Sequence, residues 1–294
     1  MTYESFCSIL NKHIFKKDEK KELLRRISDN PERFIGLFRP TKPGAKLLQY
    51  LLQSHEILMG DALEEIIEEI LKSLLGFKIL CKSKKSESGE TLSLDQYFTT
   101  RDEKFFYFIE QKVRDDHDST KKRGQISNFE IKLETLCKEH GAGKVVGIMY
   151  FVDPEFAKNK DYYHQEFEKL EKKFCGVNLH LFYGKDLFEH FGHPEIWFDL
   201  LSWLKQWKDN LPELPEINLD AKPEESFEEI KDLELRIWRK ILNNDKLWDE
   251  GIIRAVFQNG STLKKLIPYF EQQGTPYHEL VDKLKERLNS YYGL

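Results

Sequence analysis

Residues 105–109 read FFYFI, apolar at every position, and the run stops abruptly on Glu110, Gln111 and Lys112. Side chains of a strand alternate between two faces, so a strand that is apolar throughout must be covered on both. That points to a central strand in a sheet flanked by helices. Glu110 and Lys112 then share one face, while Ile109, Gln111 and Val113 share the other. A carboxylate and an ammonium project together from the end of a covered strand. Upstream, Asp95 lies in 92–98, LSLDQYF, where leucines alternate with polar residues as on a half-buried strand. Joined as a hairpin, the two segments bring Asp95 beside Glu110. Asp102 and Glu90 lie close enough in sequence to compete for that place.

Asp95 followed by Glu110-x-Lys112 at the end of an apolar strand resembles the PD-(D/E)xK nuclease superfamily. The length and layout are similar to those of type II restriction endonucleases, over roughly residues 55–190. Leu94 stands where the superfamily pattern has its proline. The resemblance implies a restriction-endonuclease-like core, a mixed central sheet flanked by helices, and a Mg²⁺ cofactor for which Mn²⁺ can substitute. It also implies Asp95 and Glu110 as metal ligands with the Gln111 carbonyl as a third. The residue types suit the task, because hydrolysing a phosphodiester needs an activated water and neutralised oxygens, which a divalent cation held by carboxylates supplies. Lys112 would orient or help deprotonate the water and offset developing negative charge. A solvated strand edge is the plain alternative for a Glu-x-Lys pair.

Residues 61–76, DALEEIIEEILKSLLG, carry apolar side chains at 63, 66, 67, 70, 71, 74 and 75, which predicts a helix stopped by Gly76. Glu64 sits at the edge of that stripe. The resemblance gives it a place near the metal, whereas the spacing of Asp61 and Glu64 also fits a capping box, and both readings stay open. The order of this helix, a strand at 77–81 (FKILC) and the two strands of the hairpin matches the superfamily core.

Beyond Lys112, apolar positions 126, 129, 133, 136 and 137 predict a helix with Asp118 or Ser119 as its N-cap. Lys121, Lys122 and Arg123 fall in its first turn, where the helix dipole disfavours cations. An amide end with three cations suits a phosphate, unless Asp115, Asp116 and Asp118 neutralise them. Gln125, Ser127 and Asn128 follow as candidate readers of base edges. Between Lys12 and Lys46, eleven Lys/Arg face five Asp/Glu, leaving +6. The loop 39–46, RPTKPGAK, offers Arg39, Lys42 and Lys46 to a DNA backbone, or is only a connector beside a solvated helix face.

Residues 144–152 and 177–183 read as two further strands, with a helix near 162–174 between them and another after Gly184. Gly143-Lys144 lacks the spacing of a phosphate-binding loop, so ATP use has no support. From 211 to 232, eight acids oppose two lysines. That acidic, proline-containing stretch reads as a linker at 209–226. Four helices are predicted beyond it, near 227–242, 246–258, 263–272 and 276–291. The expected organisation is therefore a basic helical region (1–59), a nuclease core (60–208), the linker, and a helical C-terminal subdomain (227–294).

The formal net charge of −5 does not advertise nucleic acid, so local charge has to carry any such contact. Four cysteines without ligand spacing signal neither a disulfide frame nor zinc. With no leader pattern and no long apolar run, the expectation is a soluble, cytoplasmic protein with no membrane contact. The resemblance implies a sequence-specific, Mg²⁺-dependent endonuclease of double-stranded DNA, leaving 5′-phosphate and 3′-hydroxyl ends. Cutting both strands of a palindrome implies a homodimer, and host safety implies a companion DNA methyltransferase. The alternatives are another nuclease of the superfamily, for repair or junction cleavage, and a noncatalytic DNA-binding protein on the same fold.

Overall fold

Two layers of helices enclose the apolar strand. The computed structural model describes residues 1–294 except 16, 17, 37, 39, 87, 88, 213 and 214. Arg39, a candidate DNA contact, therefore lies outside the described residues. In chain order the elements are α1 (Tyr3–Ile14), α2 (Glu19–Asp29), α3 (Pro43–Ser73), β1 (Lys78–Ile79), β2 (Ser83–Lys85), β3 (Thr91–Ser93), β4 (Gln96–Thr99) and β5 (Phe106–Lys112). They continue with α4 (Ser119–His140), β6 (Val145–Phe151), α5 (Lys160–Lys173), β7 (Asn178–Tyr183), α6 (Asp186–His190) and α7 (Glu195–Asp209). The last six helices are α8 (Pro223–Ile230), α9 (Leu235–Asn243), α10 (Asp245–Asp249), α11 (Ile252–Val256), α12 (Ser261–Gln272) and α13 (Thr275–Tyr292). None of the described helices is long and apolar enough to cross a membrane.

The chain divides into two compact units. The first comprises Met1–His13 and Met59–Leu211. Its five-stranded sheet has the order β1-β4-β5-β6-β7, antiparallel on the β1 side of β5 and parallel on the β7 side. This is the expected mixed sheet flanked by helices. The parallel pairs need crossovers, and α4 and α5 provide them. Phe108 on β5 meets Phe129 of α4, which in turn meets Phe167 of α5, so one face of the sheet is closed by these two helices. On the opposite face, Tyr107 packs with Phe98, Phe77 and Phe191, and Gln96 donates to the backbone carbonyl of Glu64 on α3 at 2.7 Å. A separate two-stranded ribbon, β2–β3, leads directly into Asp95.

The second unit, Ile14–Leu58 with Pro212–Leu294, is helical. The segment expected as one N-terminal region is thus shared between units, because Leu23, Leu24 and Ile27 of α2 join a core containing Trp238, Ile241, Trp248 and Leu266. Within the stretch read as a linker, Leu219 and Asp220 are buried. The Asp220 carboxylate accepts from the backbone amides of Asn259, Gly260 and Thr262 at 2.8–2.9 Å and so caps the start of α12. Arg287, also buried, donates to the carbonyl of Leu242 at the end of α9 and pairs with Asp245. Of the four helices predicted here, two are broken: residues 231–234 separate α8 from α9, and Gly251, in the left-handed region at φ 78°, separates α10 from α11.

Glycine 147 marks where β6 is squeezed between its neighbours. A Cβ there would stand 2.9 Å from both a Leu179 methyl and the Phe108 ring, and 3.0 Å from Phe129. Gly147→Ala should therefore destabilise the first unit by about 1–3 kcal/mol through overpacking, measured by denaturant unfolding. An unchanged midpoint would mean that the sheet and α4 separate more easily than this packing implies.

Candidate active site

The β4–β5 hairpin fixes the position of Asp95. Gln96 pairs with Ile109 and Thr99 with Phe106 in antiparallel register, which extended by one residue sets Asp95 opposite Glu110. The Asp95 carboxylate caps the end of the pairing, with Oδ2 accepting from the Gln111 amide at 2.8 Å. Its two rivals stand elsewhere. Asp102 closes the turn at the other end of the hairpin, accepting from Thr100 Oγ1 and the Lys104 amide, and Glu90 is exposed beyond the ribbon.

Lys112 ties the cluster together. Its Nζ lies 3.0 Å from Asp95 Oδ2, 2.8 Å from Glu110 Oε1 and 2.7 Å from the Gln111 carbonyl oxygen. Those three residues are the ligands that the superfamily resemblance assigns to a metal. Burial alone would lower the Lys112 pKa, but Glu110 and Asp95 outweigh it and hold it above the usual lysine range. Burial would likewise raise Glu110, yet the ammonium groups of Lys112 and Lys132 keep it below the usual carboxylate range. Lys132, buried on α4, pairs with the second Glu110 oxygen, Oε2. The strand reading alone did not include Lys132. Its signal was a lysine three residues after Phe129, inside the apolar stripe of a helix.

Glu64 is the exception in charge. Burial, reinforced by the negative charge of Asp95, pushes its pKa up to about 7, while Lys112 and Lys82 pull only partly against this. The capping-box alternative falls away, because α3 runs unbroken from Pro43 through Asp61 and leaves no helix start there to cap. Glu68, one turn on, pairs with Lys82.

These groups fit a divalent cation in chemistry. The donors are hard oxygens, the kind Mg²⁺ takes, and three of them already surround a positive charge in the form of the Lys112 ammonium. Glu64 adds a fourth oxygen donor, the third carboxylate of the group, close enough to feel Asp95. Among the described residues no three His, Cys, Asp or Glu side chains form a ready-made metal cluster.

The predicted DNA contacts divide into several groups. Asp118 caps α4, its carboxylate accepting from the amides of Thr120 and Lys121 at 3.0 and 2.9 Å. The free amide end expected for a phosphate is thus already occupied by a carboxylate. Asp115 turns inward, accepting from the Asn159 amide and side chain and from Tyr183. Lys122 is held by Asn159 Oδ1 and lies over the Tyr162 ring, and Gln125 Oε1 accepts from Tyr163. Lys121, Arg123 and Asn128 remain exposed on α4. Lys42 and Lys46 belong to the second unit, around the start of α3, where Lys46 donates to Gln49.

A five-stranded mixed sheet clad in helices, with acids and a lysine gathered where a central strand ends, defines a restriction-endonuclease-like fold. The family model for "Type II restriction endonuclease, HinfI" matches residues 2–90 and 76–208, more than half of the chain. The chain belongs to this family of type II restriction endonucleases, and with it to the DNA endonucleases. No curated protein and no solved structure matches the chain.

The raised pKa of Glu64 has a sign that stability can report. A carboxyl that holds its proton to a higher pH in the folded than in the unfolded chain loses stability as pH climbs from the ordinary carboxylate range through about 7. Glu64→Gln removes that loss. Its melting temperature should match the wild type near pH 4 and exceed it at pH 8 in metal-free buffer. A difference that does not change with pH would refute the assignment.

Proposed function

We propose that the chain is a sequence-specific endonuclease of double-stranded DNA that uses Mg²⁺ and leaves 5′-phosphate and 3′-hydroxyl ends. The observation that carries this is the convergence of Asp95 Oδ2, Glu110 Oε1 and the Gln111 carbonyl on one cation, in a member of a restriction endonuclease family. Asp95, Glu110 and the Gln111 carbonyl would hold the metal, with Glu64 beside them. The bound metal supplies a Lewis acid for the phosphate oxygens and a lowered pKa for the attacking water.

The chain's own side chains do the rest. Lys112 works as an ammonium, because its carboxylate partners keep it protonated, and it stabilises the negative charge that develops at the scissile phosphate. Glu64, which burial and Asp95 hold above the usual carboxylate range in the metal-free chain, would offer a further carboxylate oxygen beside the cation once one is bound. Asp95 holds the Gln111 amide and so fixes the backbone on which Glu110 and Lys112 sit. Lys121, Lys122, Arg123, Gln125 and Asn128 on α4, with Arg39, Lys42 and Lys46, are the proposed DNA contacts. The protein acts as a homodimer in the cytoplasm, since a two-fold pair of sites is the simplest way to cut both strands of a palindrome. A companion methyltransferase protects the host genome.

Plasmid DNA incubated with the protein and Mg²⁺ or Mn²⁺ should give discrete fragments, and a chelator should abolish them. Intact DNA under both metals would overturn the proposal, and a smear would replace it with nonspecific cleavage. Lys112→Ala should lower the cleavage rate by about 10²- to 10³-fold. The same variant should bind Mn²⁺ at least as tightly as the wild type, because its ammonium no longer competes for the three oxygens.

A further inference from the structure

Glu110 is buried, with about 5 % of its surface exposed, yet it faces two lysines rather than one. Each oxygen has its own partner: Oε1 faces Lys112, and Oε2 faces Lys132. The two lysines differ in their surroundings. The Lys112 side chain is 28 % exposed and shared among three oxygens, whereas that of Lys132 is 9 % exposed and serves Glu110. Lys132 also stands on a fixed base, because one turn earlier Phe129 packs on Phe108, two residues before Glu110, with ring centroids 4.8 Å apart.

We propose that Lys132 is the positioning residue for Glu110. By holding Oε2 it stops the carboxylate from turning and presents Oε1 toward Asp95 Oδ2 and the Gln111 carbonyl. It also remains with Glu110 when the Lys112 ammonium moves to a phosphate, so that a buried carboxylate is never left without a cation. The two lysines divide the work: Lys112 meets the substrate, and Lys132 holds the ligand in place. This inference rests on the metal-dependent nuclease reading, and it adds that the ligand geometry is set from α4.

The test measures Mn²⁺ binding without DNA, by titration calorimetry or by the loss of the free-ion electron spin resonance signal, in full-length protein. Outer partners of metal ligands are worth about 10- to 100-fold in affinity, so Lys132→Met should weaken Mn²⁺ binding by that factor. Charge alone predicts the reverse, because removing a nearby cation should tighten binding. Lys132→Gln keeps a donor for Oε2 without the charge and should recover much of the affinity. In cleavage assays, raising Mn²⁺ should restore Lys132→Met toward the wild-type rate, whereas Lys112→Ala should stay slow at every concentration. Mn²⁺ binding by Lys132→Met as tight as the wild type or tighter overturns the proposal while leaving the nuclease reading intact. A wild-type protein that neither binds Mn²⁺ nor cuts DNA overturns the nuclease reading itself. Should Lys132→Met fail to fold, Lys132→Gln decides alone, with Mn²⁺ binding weaker than the wild type in support and binding as tight or tighter against.

Discussion

Burying a carboxylate between two layers of packed side chains requires a cation to go in with it, and in this protein that requirement shapes the whole end of the central strand. Glu110 lies where the apolar run of β5 gives out, and Lys112 and Lys132 close on it from the strand and from α4. Lys112 in turn gathers Asp95 and the Gln111 carbonyl. The end of the β4–β5 hairpin and the buried face of α4 thus meet at that pair of lysines. Asp115 anchors the loop after Lys112 from the far side, through Asn159 and Tyr183.

Much of this was legible in the residues. An apolar strand with a sudden charged end is a local pattern, and it located Glu110 and Lys112 together with the covered sheet that carries them. The hairpin pairing made Asp95 a candidate, but choosing it over Asp102 and Glu90 needed the register, which spacing alone does not give. Lys132 was hidden because helical periodicity predicts which face is buried, not what a lysine on that face will meet. Glu64 was undecided between cap and site because a capping box is defined by a helix start. Only the continuous α3 removes that start. At the start of α4 the N-cap was legible, and the Asp118 carboxylate that provides it also occupies the amides at which a phosphate was expected.

The helical unit shows the same limit on a larger scale. Acidic, proline-containing sequence reads as a connector, yet a single aspartate in it, Asp220, satisfies three backbone amides at the start of α12. Buried backbone donors need partners wherever these come from, and here the partner is about 40 residues away in sequence. Composition describes the average of such a stretch, whereas the fold depends on one of its side chains.

The ammonium held among three oxygens has a consequence for how the molecule is made. Many sites that gather anionic ligands cannot close until their ion arrives, and the chains that carry them stay unfolded without it. A site that brings its own positive charge, tethered to the neighbouring residue, is under no such constraint. Synthesis and folding can then finish whatever the ion supply, and a divalent cation, on the reading proposed above, would enter a finished protein as a competitor for oxygens already in position. For a chain in a family that cuts DNA, that separates the moment of assembly from the moment of activity.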